Sequence, residues 1–273
     1  MILWLTSYPK SGNTWVRAFL GNYLGANLGN SIDNIGKIKS FPKKKQFENI
    51  VDEKVLKGDG FEIFKYFIAA QNIINKNNKF HIIKTHTFHG SVKNSEFSNK
   101  KNTAGLIYIV RDPRSVAVSY AYHEDISFEQ SIDQMLNENR IATNDKFYFE
   151  ARSSWRGHLL SWLGSPYPKL LIKYEDLKKD PFHNFELILK FINQFLDKKI
   201  DINSEKIEKI IKISSFESLS QLENEIGFKE KLGKTNFFRK GDIDEWKNVL
   251  SKEMIKKIEE KFNKEMKELN YLN

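Results

Sequence analysis

Residues 2–23 read ILWLTSYPKSGNTWVRAFLGNY. Ile2 to Thr6 form a short apolar run, and Ser7, Pro9 and Gly12 follow at once. That is a buried strand entering a turn. From Asn13 the period changes: Val16, Phe19, Leu20 and Tyr23 recur at steps of three and four, and Gly25 is a plausible stop. Strand, loop and helix in this order place the loop at the carboxyl edge of a parallel sheet, where α/β proteins bind ligands. The helix start contributes unpaired N–H groups and a positive dipole end. Gly12 permits close backbone approach, Lys10 adds charge, and Ser11 and Thr14 add hydroxyls. The loop therefore has the chemistry of a phosphate cradle. It is not a Walker A loop, because no G-x-x-x-x-G-K-[ST] is present and the lysine precedes the glycine.

Working outward, residues 80–84 (FHIIK), 105–110 (GLIYIV) and 169–173 (KLLIK) are three more strand candidates. Helical patterns follow the third and fourth strands, over Pro113 to Tyr122 and Pro181 to Phe195, with proline at a natural first helical position. The stretch 251–269 is amphipathic at Ile255, Ile258, Phe262, Met266 and Leu269. The expected fold class is α/β, a central parallel β-sheet flanked by helices on both faces. A single domain over 1–273 is expected, with residues 26–60 an irregular surface insertion carrying the Lys43-Lys44-Lys45 run.

The chain has 273 residues, a net charge of +9 and no cysteine. Its 21 phenylalanines argue against disorder. Disulfides, thiol catalysis and cysteine-ligated zinc are excluded. No apolar run approaches a membrane span and no signal peptide is evident, so a cytoplasmic location is expected. The basic excess points to an anionic partner without choosing one.

Five segments then resemble one family in order: the PAPS-dependent sulfotransferases, which use 3′-phosphoadenosine 5′-phosphosulfate (PAPS). YPKSGNTW (8–15) looks like the 5′-phosphosulfate loop. Lys84-Thr85-His86 is similar to the catalytic motif. IYIVRDPRSVAVSY (107–120) resembles the 3′-phosphate strand–loop–helix. YEDLKKDP (174–181) resembles the tyrosine–acid segment. Arg239-Lys240-Gly241 with Trp246-Lys247-Asn248 is similar to the late phosphate motif. The resemblance implies a P-loop-NTPase-like sulfotransferase fold and transfer of sulfonate from PAPS to a hydroxyl, less readily an amine, without a metal.

It also implies roles. His86 is the base, and Lys84 and Lys10 neutralise developing charge. Lys10, Ser11, Gly12, Asn13 and Thr14 cradle the 5′ end, Arg111, Ser119, Arg239, Lys240 and Gly241 hold the 3′-phosphate, Trp15 and Phe216 stack on adenine, and Tyr174 hydrogen-bonds the base. Histidine titrates in the right range for proton removal, and residues i and i+2 of an extended segment share a face, which puts Lys84 beside His86. Phe88, Tyr120, Tyr122, Phe147, Tyr148 and Phe149 are candidate acceptor walls, suited to a phenol, a lipid alcohol or the apolar face of a sugar. Three departures are visible: Asn13 stands where threonine is common, Thr87-Phe88 where leucine–proline is frequent, and Asp244 where glycine is usual. The usual dimer motif is absent from 247–256, so oligomeric state stays open. A nucleotide kinase and a non-catalytic binder of nucleic acid or anionic lipid are the competing readings. The first lacks the Walker A lysine. The second rests on surface charge, and no nucleic-acid partner is expected.

Overall fold

A computed structural model describes residues 1–25, 31–56, 62–142 and 149–273. The strands are β1 Ile2–Ser7, β2 Lys39–Ser40, β3 His81–Thr85, β4 Ser91–Val92, β5 Ser95–Glu96, β6 Thr103–Val110, β7 Ile141–Ala142, β8 Glu150–Ala151 and β9 Lys169–Lys173. Five of them form a sheet in the order β2-β3-β1-β6-β9, and every pairing is parallel. The chain runs outward from β1 to one edge, then crosses back over β1 to β6. That reversal opens a crevice at the carboxyl end of β1. The pairs β4–β5 and β7–β8 are two-residue antiparallel ribbons.

The period of two decides which residues meet which layer. Ile2, Trp4, Leu106, Tyr108 and Val110 point to one side, where Trp155 and Leu159 of α7 (Trp155–Leu163) and Ile132 of α6 (Phe128–Leu136) cover them. Leu3, Leu5, Ile107 and Ile109 point to the other, against α1 (Asn13–Tyr23) and α9 (Pro181–Asn193). Phe19 of α1 stacks on Phe185 of α9 at 3.8 Å between ring centroids. Both faces are therefore buried, which is why β1 is apolar from Ile2 to Leu5 rather than alternating. The remaining helices are α2 Ser31–Ile35, α3 Glu53–Leu56, α4 Phe67–Ile74, α5 Pro113–Glu124, α8 Tyr174–Lys179, α10 Ser204–Ile213, α11 Phe216–Ile226, α12 Trp246–Val249, α13 Lys252–Lys261 and α14 Asn263–Glu268.

Two expectations change. Residues 31–56 are not a surface insertion: β2 is the edge strand of the sheet, and Phe41 and Phe47 are buried in the core beside Phe67. The glycines and lysines around them conceal that contribution, because two phenylalanines six residues apart carry no readable period. The amphipathic stretch 251–269 is two helices, α13 and α14, broken at Phe262, which is buried against Trp155.

Candidate active site

Four adjacent strand ends converge on one cavity of about 330 Å³. The loop after β1 supplies Lys10, Gly12, Asn13, Thr14 and Trp15, the end of β3 supplies Lys84 and His86, the end of β6 supplies Arg111, and the start of α8 supplies Tyr174. Ser119, Phe216, Arg239, Lys240 and Gly241 also line it. All of the expected catalytic residues and nearly all of the expected nucleotide-side residues thus share one cavity. Ser11 is buried within the loop behind it.

Gly12 is required twice over. Its φ of 98° lies in the left-handed region, and a Cβ there would run into the Tyr174 ring. This turn opens α1 at the cavity: the N–H groups of Trp15 and Val16 donate to the Gly12 carbonyl, and Asn13 and Thr14 form the start of the helix and line the cavity. Asn13 donates its side-chain amide backwards, to the Leu5 carbonyl and Ser7 Oγ, both at 3.4 Å. Its contribution to an anion is therefore through the backbone rather than the side chain. Ser11 Oγ, Trp15 Nε1 and Arg111 Nε are buried with no hydrogen-bond partner among the described residues. Buried donors left unpaired are costly, and three of them around one helix start fit a phosphorylated nucleotide.

Arg111 does not pair with its neighbour Asp112. Asp112 caps α5 and is held by Arg114 at 2.6 Å. Arg111 instead stacks over the Tyr174 ring, 4.5 Å from its centroid, and donates to the carbonyls of Lys10 at 3.2 Å and Asp242 at 2.8 Å. It ties the first loop to the last. Tyr174 donates its hydroxyl to the Gly241 carbonyl at 3.4 Å. Trp15 meets Tyr174 and Phe185 edge-on, and Phe216 lies against Gly241, so two aromatic surfaces border the same end of the cavity. In the late loop, Glu245 holds Arg239 in a short ion pair and Lys240 at 3.3 Å. Asp244 is exposed and pairs with Lys247 at 2.8 Å, away from the cavity lining.

At the other end, His86 Nδ1 lies 2.7 Å from the Ser7 carbonyl. A carbonyl only accepts, so Nδ1 carries the proton and Nε2 keeps a lone pair. Burial, helped by the nearby charges of Lys84 and Arg152, holds the imidazole well below the ordinary histidine range, hence neutral at pH 7. Lys84 is buried with Glu150 at 3.8 Å, and burial lowers its affinity for the proton. Lys10 has its Nζ 3.6 Å above the Phe237 ring centroid. Burial, then the charge of Arg111, brings Lys10 down to about 7.

The sequence reading missed much of this end. Arg152 lines the cavity, donates to Glu150 at 2.8 and 3.0 Å and to the Tyr120 hydroxyl at 2.7 Å. Burial pushes Glu150 up, but Lys84 and Arg152 outweigh it and the carboxylate is held below its usual range. Glu230 also lines the cavity and is gripped by Arg17 at 2.6 and 3.0 Å. Burial opposes its charge, yet Arg17 brings it down to about 2. His123 lines the cavity as well, and burial followed by the charge of Lys10 brings it to about 3. Glu150 and Arg152 are two apart on an extended segment, a pattern that would have placed them on one face. Arg17 and Glu230 are 213 residues apart and share no local signal.

The expected aromatic acceptor walls are mostly elsewhere. Phe149 is fully buried in the core beside Phe64, Phe88 packs against the same core, and Tyr122 is covered by the Arg239 guanidinium at 3.9 Å. None of these three lines the cavity. Tyr120 does, but only 1% of it is exposed and its hydroxyl accepts from both Arg140 and Arg152. The cause is geometric: these aromatics occupy the core side of their elements and the charged residues the cleft side. Phe147 and Tyr148 lie outside the described residues.

The chain as a whole is similar to known proteins along most of its length. Flavonol 4′-sulfotransferase of Flaveria chlorifolia is 30% identical over 278 residues, 94% of this chain and 76% of that protein. Sulfotransferase 1B1 of Mus musculus is 28% identical across 96% of this chain and 81% of its own length. Among solved structures, mouse sulfotransferase SULT7A1 complexed with PAP superposes with a TM-score of 0.62 at 21% identity, covering 97% of this chain and 84% of that one. Retinol dehydratase in a complex with retinol and PAP gives 0.64 at 17%, covering 97% and 81%. A model of the sulfotransferase domain family matches residues 2–270, nearly the whole chain, and the chain belongs to that family.

Proposed function

We propose that this sulfotransferase transfers the sulfonate of PAPS to an acceptor hydroxyl, with Nε2 of His86 as the general base. PAPS supplies an activated sulfonate whose leaving group is the 3′,5′-bisphosphate. The observation that carries the reading is the pairing of a neutral, cleft-facing His86, fixed through Nδ1, with the buried Lys84 at the end of β3 and the half-buried Lys10 in the loop after the adjacent β1. Nε2 takes the hydroxyl proton as the bond to sulfur forms. Lys84 offsets negative charge on the sulfonate oxygens, and Lys10 offsets the charge left on the 5′-phosphate. Arg111 holds the 3′-phosphate, because its guanidinium already joins the two loops that flank it and can present a planar fork. Ser119, Arg239, Lys240 and the backbone of Gly241 complete that cradle. Trp15 and Phe216 border the adenine. A nucleotide-sized ligand that is mostly anionic also accounts for cavity cations from four separate segments. The enzyme is expected to work in the cytoplasm, in line with relatives such as cytosolic sulfotransferase 10 of Arabidopsis thaliana; among the described residues no helix is long and apolar enough to cross a membrane.

The test is incubation with PAPS and hydroxyl acceptors, measuring acceptor-dependent release of the 3′,5′-bisphosphate. Magnesium-dependent ATP turnover with no affinity for the bisphosphate would defeat the reading.

A further inference from the structure

Beyond His86 the cavity changes character, and its lining bears on the acceptor. Glu150 and Arg152 form a tight pair beside Lys84, and the same guanidinium reaches Tyr120. Glu230, on the same cavity, is clamped by Arg17. Tyr120 is deeply set: Arg140 lies over its ring, 4.7 Å from the centroid, and its hydroxyl accepts from Arg140 and Arg152, so guanidinium groups cover it. The ring of Phe237 is already capped by Lys10. Phe88, Tyr122 and Phe149 face other parts of the molecule.

Building on the sulfonate-transfer reading above, we propose that the acceptor is a neutral polyhydroxylated alcohol of the sugar or polyol class, recognised by Arg152 and Glu230. A flat phenol seated against this wall would strip water from a guanidinium and carboxylates and return few hydrogen bonds. Each polar group so stranded weakens binding about 5- to 150-fold. A hydroxyl donates to a carboxylate and accepts from a cation at once, so a ring of hydroxyls replaces the displaced water group by group. The charges select further. Glu150 is shared by Arg152 and Lys84, Glu230 is held by Arg17, and Glu124 adds a third carboxylate, so this part of the wall sets three cations against three carboxylates. It exerts little net pull on an ammonium or on a carboxylate, and a neutral acceptor suits it.

The experiment compares methyl glucoside, maltose and sorbitol with 2-naphthol and phenethylamine, each with PAPS, reading bisphosphate release. The expected result is a kcat/KM for the best polyhydroxylated acceptor about 100-fold above that for 2-naphthol, the size of two avoided stranded groups. The double variant R17L/E230L removes a pair without leaving a lone buried charge. It should raise KM for the polyhydroxylated acceptor about tenfold and narrow the preference over 2-naphthol by a similar factor, and an unchanged KM overturns the assignment. Bisphosphate affinity within twofold of the parent shows that the fold and nucleotide end survive. Preference for 2-naphthol or for the amine, or turnover of none of the acceptors by a protein that binds the bisphosphate, overturns the acceptor assignment. A parent protein that fails to bind the bisphosphate breaks the sulfonate-transfer reading itself.

Discussion

The two ends of the cleft are built differently. The nucleotide end draws its cations from strand ends and their loops: Lys10 and Arg111 lie on contiguous runs that each hold strand, turn and helix start. The acceptor end is held together by ion pairs between distant segments, Arg17 with Glu230 and Lys84 with Glu150. At the first, backbone geometry does the positioning, through the left-handed turn at Gly12 and the bridging carbonyls around Arg111. At the second, side chains position one another. Backbone sites hold a fixed ligand, whereas side-chain pairs can be exchanged with less disturbance to the sheet.

The strongest way to break this comparison is at the junction of the two ends. His86→Ala should lower kcat by about 100- to 10,000-fold while bisphosphate affinity measured by calorimetry stays within about twofold. A parallel loss of affinity would show that His86 belongs to the nucleotide end instead. At the nucleotide end proper, Arg111→Lys loses the planar fork that reaches both Lys10 and Asp242. Bisphosphate affinity should fall about 10- to 100-fold, the range for hydrogen bonds to charged groups. Unchanged affinity would mean that backbone alone holds the 3′-phosphate.

A third measurement follows protons. Lys10 sits at about 7, because burial and the charge of Arg111 outweigh the carboxylates of Glu230, Glu223 and Glu124. Between about 7 and the ordinary 10.5 the folded protein carries fewer protons than the unfolded one, so this residue makes stability rise with pH through that window. An anion beside Lys10 favours its charged form. Bisphosphate binding at pH 8 should therefore take up a proton, with an apparent enthalpy that changes with the ionisation enthalpy of the buffer. Buffer-independent enthalpies would place the lysine away from the phosphate. The smallest effect concerns Glu245, which competes for Arg239 and Lys240. Glu245→Gln should tighten bisphosphate binding about two- to fivefold, in line with loss of a partly exposed ion pair. Weaker binding would show that Glu245 shapes the late loop more than it opposes the ligand.

The same contrast explains what could be read from the chain. Strand β1, the turn at Gly12 and helix α1 are one local pattern, and the parallel sheet followed from repeating it. His86 and Lys84 were legible because two residues apart on a strand share a face. Phe41 and Phe47 were not, since their burial depends on β2 docking at an edge that no local period announces. Glu230 was invisible for a similar reason, as its partner Arg17 lies near the opposite end of the sequence. Aromatic residues near the motifs suggested acceptor walls, but proximity in sequence says nothing of which side of an element a ring takes.

Helix α1 has one more consequence. Thr14 of its first turn lines the cavity, and Arg17, three residues on, holds Glu230 of the acceptor wall. At 1.5 Å per residue these positions are separated by about 4.5 Å along the axis. In the proposed reading the helix works as a measuring stick between donor and acceptor, with its zero set by the Gly12 turn. A residue inserted between Thr14 and Arg17 would advance the mark by about 1.5 Å and swing it about 100° around the axis. The length of this segment is thus a specification in its own right, separate from the identity of the side chains it carries.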